Sequence, residues 1–297
     1  MRLPCVLILI IQQLCVVLNI PIVNVSNYWS SQPYKLNSLA LEPEHGSRIV
    51  SILLFSYIKI QELVLNRKYS IDDTTSKDRW LWLGCTYFFL TNGSVLAYIA
   101  FGLILFYFLK LQTFVWIMPL FASAVFIIFY FSNDYFVFKR LVLLADSFFS
   151  FNANIIIKSD ASAAARIVPW FWYFQDINLF SIDTWFGHGI DYSDKLYSSN
   201  YLGTTKVASG FVGGFFPGYI QDMGIFALIL FIPILKRYCL TKWWSMELLV
   251  WIILINTAPI NTYLFWFGMM MFFTNKYFFD KQIKDSDENS ICTLTSN

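Results

Sequence analysis

Long apolar runs alternate with short polar stretches over most of this 297-residue chain. Their length and spacing predict membrane helices near 3–23, 47–66, 80–92, 95–110, 113–131, 217–235, 244–257 and 260–275. A helix needs about 20 apolar residues to cross a bilayer unaided. The segments 80–92 and 95–110 are therefore a short pair, hinged at Thr91-Asn92-Gly93-Ser94. The segments 244–257 and 260–275 form another, broken between Asn256 and Asn261. Such breaks survive in lipid only where protein or a water-filled cavity covers the freed backbone. The first run, MRLPCVLILIIQQLCVVLNIPIV, has the basic start of a secretory signal. It is long for one, carries Gln12 and Gln13 in its middle and lacks a small-residue cleavage site, so it reads as a first retained span.

Basic residues orient these spans. Arg67, Lys68, Lys77 and Arg79 fall in 67–79, and Lys236, Arg237 and Lys242 in 236–243. Lys110 and the tail from 276, with Lys276, Lys281 and Lys284, share their side, while the loop 24–46 has only Lys35. By the positive-inside rule the first group is cytoplasmic. Fusing 80–110 into one span would break the alternation. The expected fold is an all-α polytopic membrane protein of about eight spans and one domain, 1–297. It has one large outer segment, 132–216, and a polar inner tail, 276–297.

The outer segment is too long for a connector and too aromatic for a disordered one. Ser159 or Asp160 can cap a helix starting at Ala161. Pro169 would bend that helix, and Trp170, Phe171, Trp172, Tyr173 and Phe174 suit a headgroup layer. Gly187-His188-Gly189 ends the stretch. Gly210, Gly213, Gly214 and Pro217-Gly218 then make a turn-rich approach to the next span. The expectation is a helix lying along the outer face, aromatics toward the membrane and Arg166 toward a cavity.

Composition agrees: 57% of residues are hydrophobic, 20% aromatic and 13% charged, against about 25% charged in soluble domains. A net charge of +2 without a basic stripe excludes a nucleic-acid binder. Five cysteines without a CxxC pair give neither a disulfide framework nor a zinc signature. No phosphate-binding loop, dinucleotide fingerprint or hydrolase motif is present. No metal or cofactor is expected.

The candidate chemistry lies on the outer side. Arg166 can snorkel to headgroups, pair with Asp160, or grip a phosphate with its planar, permanently charged fork. Arg48 follows Glu42, Glu44 and His45 closely enough either to pair with them or to add a phosphate or sugar contact beside a carboxylate. Lys139-Arg140 opens the large segment, as a headgroup anchor or a substrate contact. His188 has the proton affinity of a general base. Asp191 and Asp194 are possible ligands for a cation or sugar hydroxyls. Asp285-Ser286-Asp287 resembles the acidic triplet of metal-dependent sugar transferases but sits in the inner tail, away from the rest.

Several stretches taken together resemble the O-antigen polymerases of the Wzy type. LEPEHGSRI, residues 41–49, resembles their Glu-Pro element, and FFLTNGSVLAYIAFGLILF, 88–106, their hinge between short spans. SDASAAARI (159–167), FGHGI (186–190) and GYIQDMGIFALILF (218–231) resemble the start, middle and exit of their large periplasmic loop. The likeness runs from about residue 40 onward. It implies a metal-independent glycosyltransferase of GT-C-like architecture in the bacterial inner membrane. Such an enzyme joins repeat units carried on undecaprenyl pyrophosphate at the periplasmic face. A chain-length regulator and a flippase of the same pathway are the implied partners, together with membrane lipid. The family's working arginines map onto Arg166 and Arg48; Glu42 and His188 join them as catalytic candidates, with Arg140, Asp160, Asp191 and Asp194 binding substrate. Val95 stands where some members have an arginine. Residues 209–217 lack the histidine of the related ligases, which favours polymerase over ligase. A flippase or transporter is the rival from another class. It would place charge at mid-bilayer, where this chain offers only Lys59 and Glu62.

Overall fold

The computed structural model describes residues 2–24, 36–40, 43–92, 94–108, 161–201, 215–255 and 262–295, plus isolated positions between 119 and 142 and at 258 and 260. Glu42, Lys139, Arg140, Asp160 and most of the expected span 113–131 lie outside the described residues. Among the described residues every regular element is a helix. In chain order these are α1 (Arg2–Val17), α2 (Pro43–Leu65), α3 (Ile71–Ser76), α4 (Arg79–Thr91) and α5 (Val95–Phe108). After the large gap come α6 (Ala161–Asp176), α7 (Ile182–Phe186), α8 (Tyr192–Tyr201), α9 (Phe215–Cys239), α10 (Met246–Leu254) and α11 (Tyr263–Thr295).

The chain divides into two compact units. The first comprises 1–108, 234–255 and 263–297, the second 109–233 and 256–262. In the first unit α1, α2, α4 and α5 share a core built on Leu9, Leu54, Ile58, Trp82, Phe88, Phe89 and Ile104. The rings of Phe89 and Phe101 stack at 5.3 Å, which fixes α4 against α5. The expected hinge is real: α4 stops at Thr91, Asn92 caps it, and α5 starts at Val95. Helix α11 lies along α2, with Phe55 stacked on Phe272 at 6.0 Å and the Ser56 hydroxyl donating to Asn275 Oδ1 at 2.6 Å. Gln12, odd inside an apolar run, is buried, where it accepts from the Ser38 N–H (2.8 Å) and donates to the Val23 carbonyl (2.7 Å). Each such bond is worth about 1 kcal/mol, and more is lost if one partner is removed.

Two boundaries differ from expectation for identifiable reasons. α2 begins at Pro43, earlier than the expected 47, because proline suits a first helical turn where no N–H is needed. Glu44 and His45 are thereby drawn into the helix that holds Arg48. α11 continues through the polar segment expected as a solvated tail. Nothing between Tyr277 and Thr295 breaks a helix, Lys276 pairs with Asp280 at 2.6 Å, and Gln282 Nε2 donates to the Leu63 carbonyl.

Among the described residues, Phe215–Cys239 is the one stretch long and apolar enough, by length and composition, to cross a membrane, but it is two helices joined at a kink. It is not straight. Gly224 has φ 82° and ψ 173°, and the ring centroids of Phe215 and Phe231 lie 5.0 Å apart. A straight helix would separate those residues by about 24 Å. α9 therefore folds back at Gly224 into two limbs, the second about 22 Å long. α10 spans Met246–Leu254 and is only about 13 Å long.

The loop between α2 and α4 is pinned by charge. Both Arg67 guanidinium nitrogens donate to Asp73 at 2.7 Å, and the Ser70 N–H and hydroxyl donate to Asp73 Oδ2 at 3.0 and 2.9 Å. The Arg67 hydrogen bonds, then the Ser70 N–H, hold the Asp73 carboxyl well below the usual carboxylate range. Burial, then the hydrogen bond to Asp78, pushes the Tyr69 phenol up. A depressed carboxyl contributes stability that is complete above its unfolded pKa and fades as pH falls through the folded one. Amide-exchange protection of residues 67–76 should therefore be flat from about pH 5 upward and fall only in stronger acid. Asp73→Asn should lose that protection already at neutral pH. Equal protection in both proteins would refute the clamp.

Candidate active site

The site is built in the second unit from two stretches more than thirty residues apart, FGHGI (186–190) and GYIQDMG (218–224). α7 ends at Gly187, whose φ of 81° and ψ of 171° carry the chain sharply outward. Gly187 and Gly224 then meet with their backbones in contact. A Cβ on Gly187 would fall 2.2 Å from the Asp222 carbonyl oxygen, and one on Gly224 would fall 2.2 Å from the Trp185 carbonyl oxygen. Only glycine tolerates both the dihedrals and the approach. Two hydrogen bonds close the junction, from the His188 N–H to the Gln221 carbonyl and from the Gly189 N–H to the Asp222 carbonyl, each 3.0 Å.

Asp222 holds the next element too. Its Oδ1 accepts from the Ser193 N–H at 2.7 Å, in the first turn of α8. A carboxylate there meets the positive end of the helix dipole and satisfies one of its unbonded donors. Asp191 precedes α8 in the left-handed region, at φ 65°, a conformation that aspartate tolerates better than most residues.

These contacts fix the His188 ring. It stacks on Tyr192 at 4.1 Å and 9°, and its Nδ1 lies 3.3 Å from the Gln221 carbonyl oxygen. A carbonyl oxygen can only accept, so the tautomer that satisfies this contact is the one with its proton on Nδ1 and its lone pair on Nε2. His188 is exposed at the surface of the unit. Below it Gln221 is 7% exposed, and its Oε1 has no hydrogen-bond partner among the described residues. The arrangement provides an oriented imidazole able to accept a proton from a hydroxyl.

Arg166 lies on α6 in the same unit, and its side chain is outside the described residues. The helix begins at Ala161 as expected and contains Pro169. Val168 is fully buried and Trp170 packs against Phe216 at 6.3 Å. At least this aromatic, expected to face headgroups, is therefore spent on protein. Asp194 is partly buried in α8, near the junction.

The remaining candidates lie in the first unit. Arg48 is 4% exposed and its guanidinium pairs with Glu44 one turn earlier. His45 faces Tyr263 edge-on, Nδ1 lying 3.3 Å from the phenol oxygen. The Ser47 hydroxyl lies 2.9 Å from Asn92 Oδ1, which ties the Glu-Pro element to the hinge. His188, Asp191 and Asp194 lie within one short stretch of the second unit, and Arg48 is held in an ion pair in the first.

Sequence reasoning missed Gln221 and Asp222, whose role is to receive the glycine turn. It also missed Glu247. Lys59 lies 3.0 Å from Glu62 and 3.6 Å from Glu247 in a cleft of about 400 Å³. Tyr107 and the Tyr69 N–H donate to Glu62, while the Thr241 N–H (2.7 Å) and hydroxyl donate to Glu247. Glu62 lies one turn from Lys59 and was a readable partner. Glu247 reaches them only through the tertiary fold. Comparison with family models, curated proteins and solved structures gave no match.

Proposed function

We propose that the protein is a multi-pass inner-membrane polymerase. It joins oligosaccharide repeats carried on undecaprenyl pyrophosphate at the periplasmic face. The Gly187–Gly224 junction carries this reading. Two stretches that resemble the loop middle and loop exit of O-antigen polymerases fit each other backbone to backbone and present an oriented histidine. The Ser47–Asn92 contact supports it in the same way, between the Glu-Pro and hinge stretches.

The reaction moves one glycosyl group. The non-reducing-end hydroxyl of one lipid-linked repeat attacks the anomeric carbon of the chain on a second carrier. A carbon–oxygen bond forms, the anomeric bond to the diphosphate breaks with its electron pair, and undecaprenyl pyrophosphate leaves. His188 Nε2 takes the hydroxyl proton, and Arg166 stabilises the departing charge. The diphosphate is already a good leaving group, so positioning and deprotonation carry most of the demand.

A transporter remains the second reading because of one observation, the Lys59–Glu62–Glu247 cluster beside a cleft in the first unit. Gene deletion separates the readings. Loss of a polymerase leaves single-repeat glycan on the lipid A core, and this is the expected result. Loss of a ligase leaves polymer on undecaprenol, and loss of a flippase leaves lipid-linked repeats at the inner face. Either of those outcomes would overturn the proposal.

A further inference from the structure

The segment that leads into the glycine junction carries an apolar surface that the proposed chemistry does not use. Phe180 is 99% exposed, and Leu179, Ile182, Phe186 and Ile190 are also exposed. Phe180, Ile182 and Phe186 line a shallow groove of about 280 Å³ together with Ser181, Trp185 and Phe226. No charged side chain lines it. Contiguous exposed apolar surface of this kind marks a binding or membrane-contact site.

Several polar groups of this segment are hydrogen-bonded locally. The Phe180 N–H donates to Asn178 Oδ1, the Ser181 N–H to the Asn178 carbonyl and the Asp183 N–H to Ser181 Oγ. The Thr184 hydroxyl bonds the Asn178 carbonyl at 2.7 Å, the Trp185 indole N–H the Leu179 carbonyl at 2.8 Å, and the Gly187 N–H the Asp183 carbonyl at 2.8 Å. A backbone satisfied internally is what contact with hydrocarbon requires.

The patch also continues onto the apolar second limb of α9. Trp185 and Phe186 pack on Phe226 at 5.1 and 5.2 Å. Phe226 opens the second limb of α9, whose exposed face continues through Ile229 and Leu230. Phe226 precedes the Lys236-Arg237 pair by ten residues in the sequence. We propose that residues 179–190 form an interfacial foot. Its apolar side lies among the acyl chains of the leaflet next to the start of that limb, and it holds the His188 turn at the membrane surface. Asp183 and His188 remain at headgroup level, within the shallow depth such helices reach. The foot is independent of the chemistry proposed above.

The test is photocrosslinking of the full chain in phosphatidylcholine nanodiscs. Benzoylphenylalanine replaces Phe180, Ile182, Leu230 or Lys195, one at a time, and adducts are read by mass. Phe180 and Ile182 are solvent-facing in the chain itself, so the larger ring leaves the fold intact. Lipid adducts at Phe180 and Ile182 should approach the yield at Leu230 and exceed that at Lys195 by about tenfold, because interfacial helices bury their apolar face in the acyl region. Adducts at Leu230 alone would place the foot in water. Crosslinks from Phe180 or Ile182 to protein would assign the patch to a chain partner. No lipid adduct at any position would remove the membrane from this face. Each of these three results overturns the foot, and none bears on glycan transfer.

Discussion

Gly187→Ala or Gly224→Ala is expected to undo the junction and abolish polymer formation. At both positions the added methyl would overlap a backbone carbonyl oxygen at 2.2 Å, and the dihedrals, φ 81° and 82°, belong to a region reserved for glycine. Backbone strain alone costs on the order of 1–3 kcal/mol. The overlap adds to it, because the opposing atoms are main chain and cannot rotate away. Two other glycines calibrate the effect. Gly189 has φ 97° with no atom within 4 Å of a built Cβ, so Gly189→Ala should show strain without overlap. Gly102 lies inside α5 with open space beside it, so Gly102→Ala should be neutral or stabilise by up to about 1 kcal/mol. Limited proteolysis between 187 and 195, thermal midpoints of the solubilised protein and glycan gels give the readout. The expected order of damage is Gly187 and Gly224, then Gly189, then Gly102. If Gly187→Ala behaves like Gly102→Ala, the two stretches do not dock.

Arg166→Ala is expected to lower polymerisation by about 10²–10³-fold, the usual loss when a donor to developing negative charge is removed. Gels should show single-repeat glycan in place of long polymer, with unchanged protein in the membrane fraction. Arg166→Lys keeps the charge but loses the planar fork, and should recover little of the activity if the guanidinium grips a diphosphate in bidentate fashion. If Arg166 merely snorkels to headgroups, lysine should restore full activity, because an ammonium does that equally well. Long polymer retained in both variants would remove Arg166 from the mechanism.

Much of the local structure was legible because it depends on neighbours in sequence. The helix α6 over Ala161–Asp176 falls where a run of alanines and apolar residues predicts one. The hinge after Thr91 follows from a polar, glycine-containing break between two apolar runs too short to cross alone. The boundaries that moved did so for local reasons that apolarity alone does not report. Pro43 is a good helix start, and the charged stretch after Tyr277 is still a good helix former.

The site was legible only in part. His188 stood out because a histidine between two glycines can accept protons in a sharp turn. Nothing near it in sequence indicates that Gln221 and Asp222 receive that turn, or that its Nδ1 is committed to a carbonyl. Glu44 was readable as a partner of Arg48 because they lie one helical turn apart.

The sequence by itself determined the helical character of the described residues, the hinge and many helix limits, because apolar period, caps and breakers act over a few residues. Only the tertiary structure decided that α9 folds back at Gly224, that two distant glycines interlock, and that Glu247 joins Lys59. Those outcomes depend on backbone contact and charge pairing between segments far apart in the chain, which no local pattern encodes.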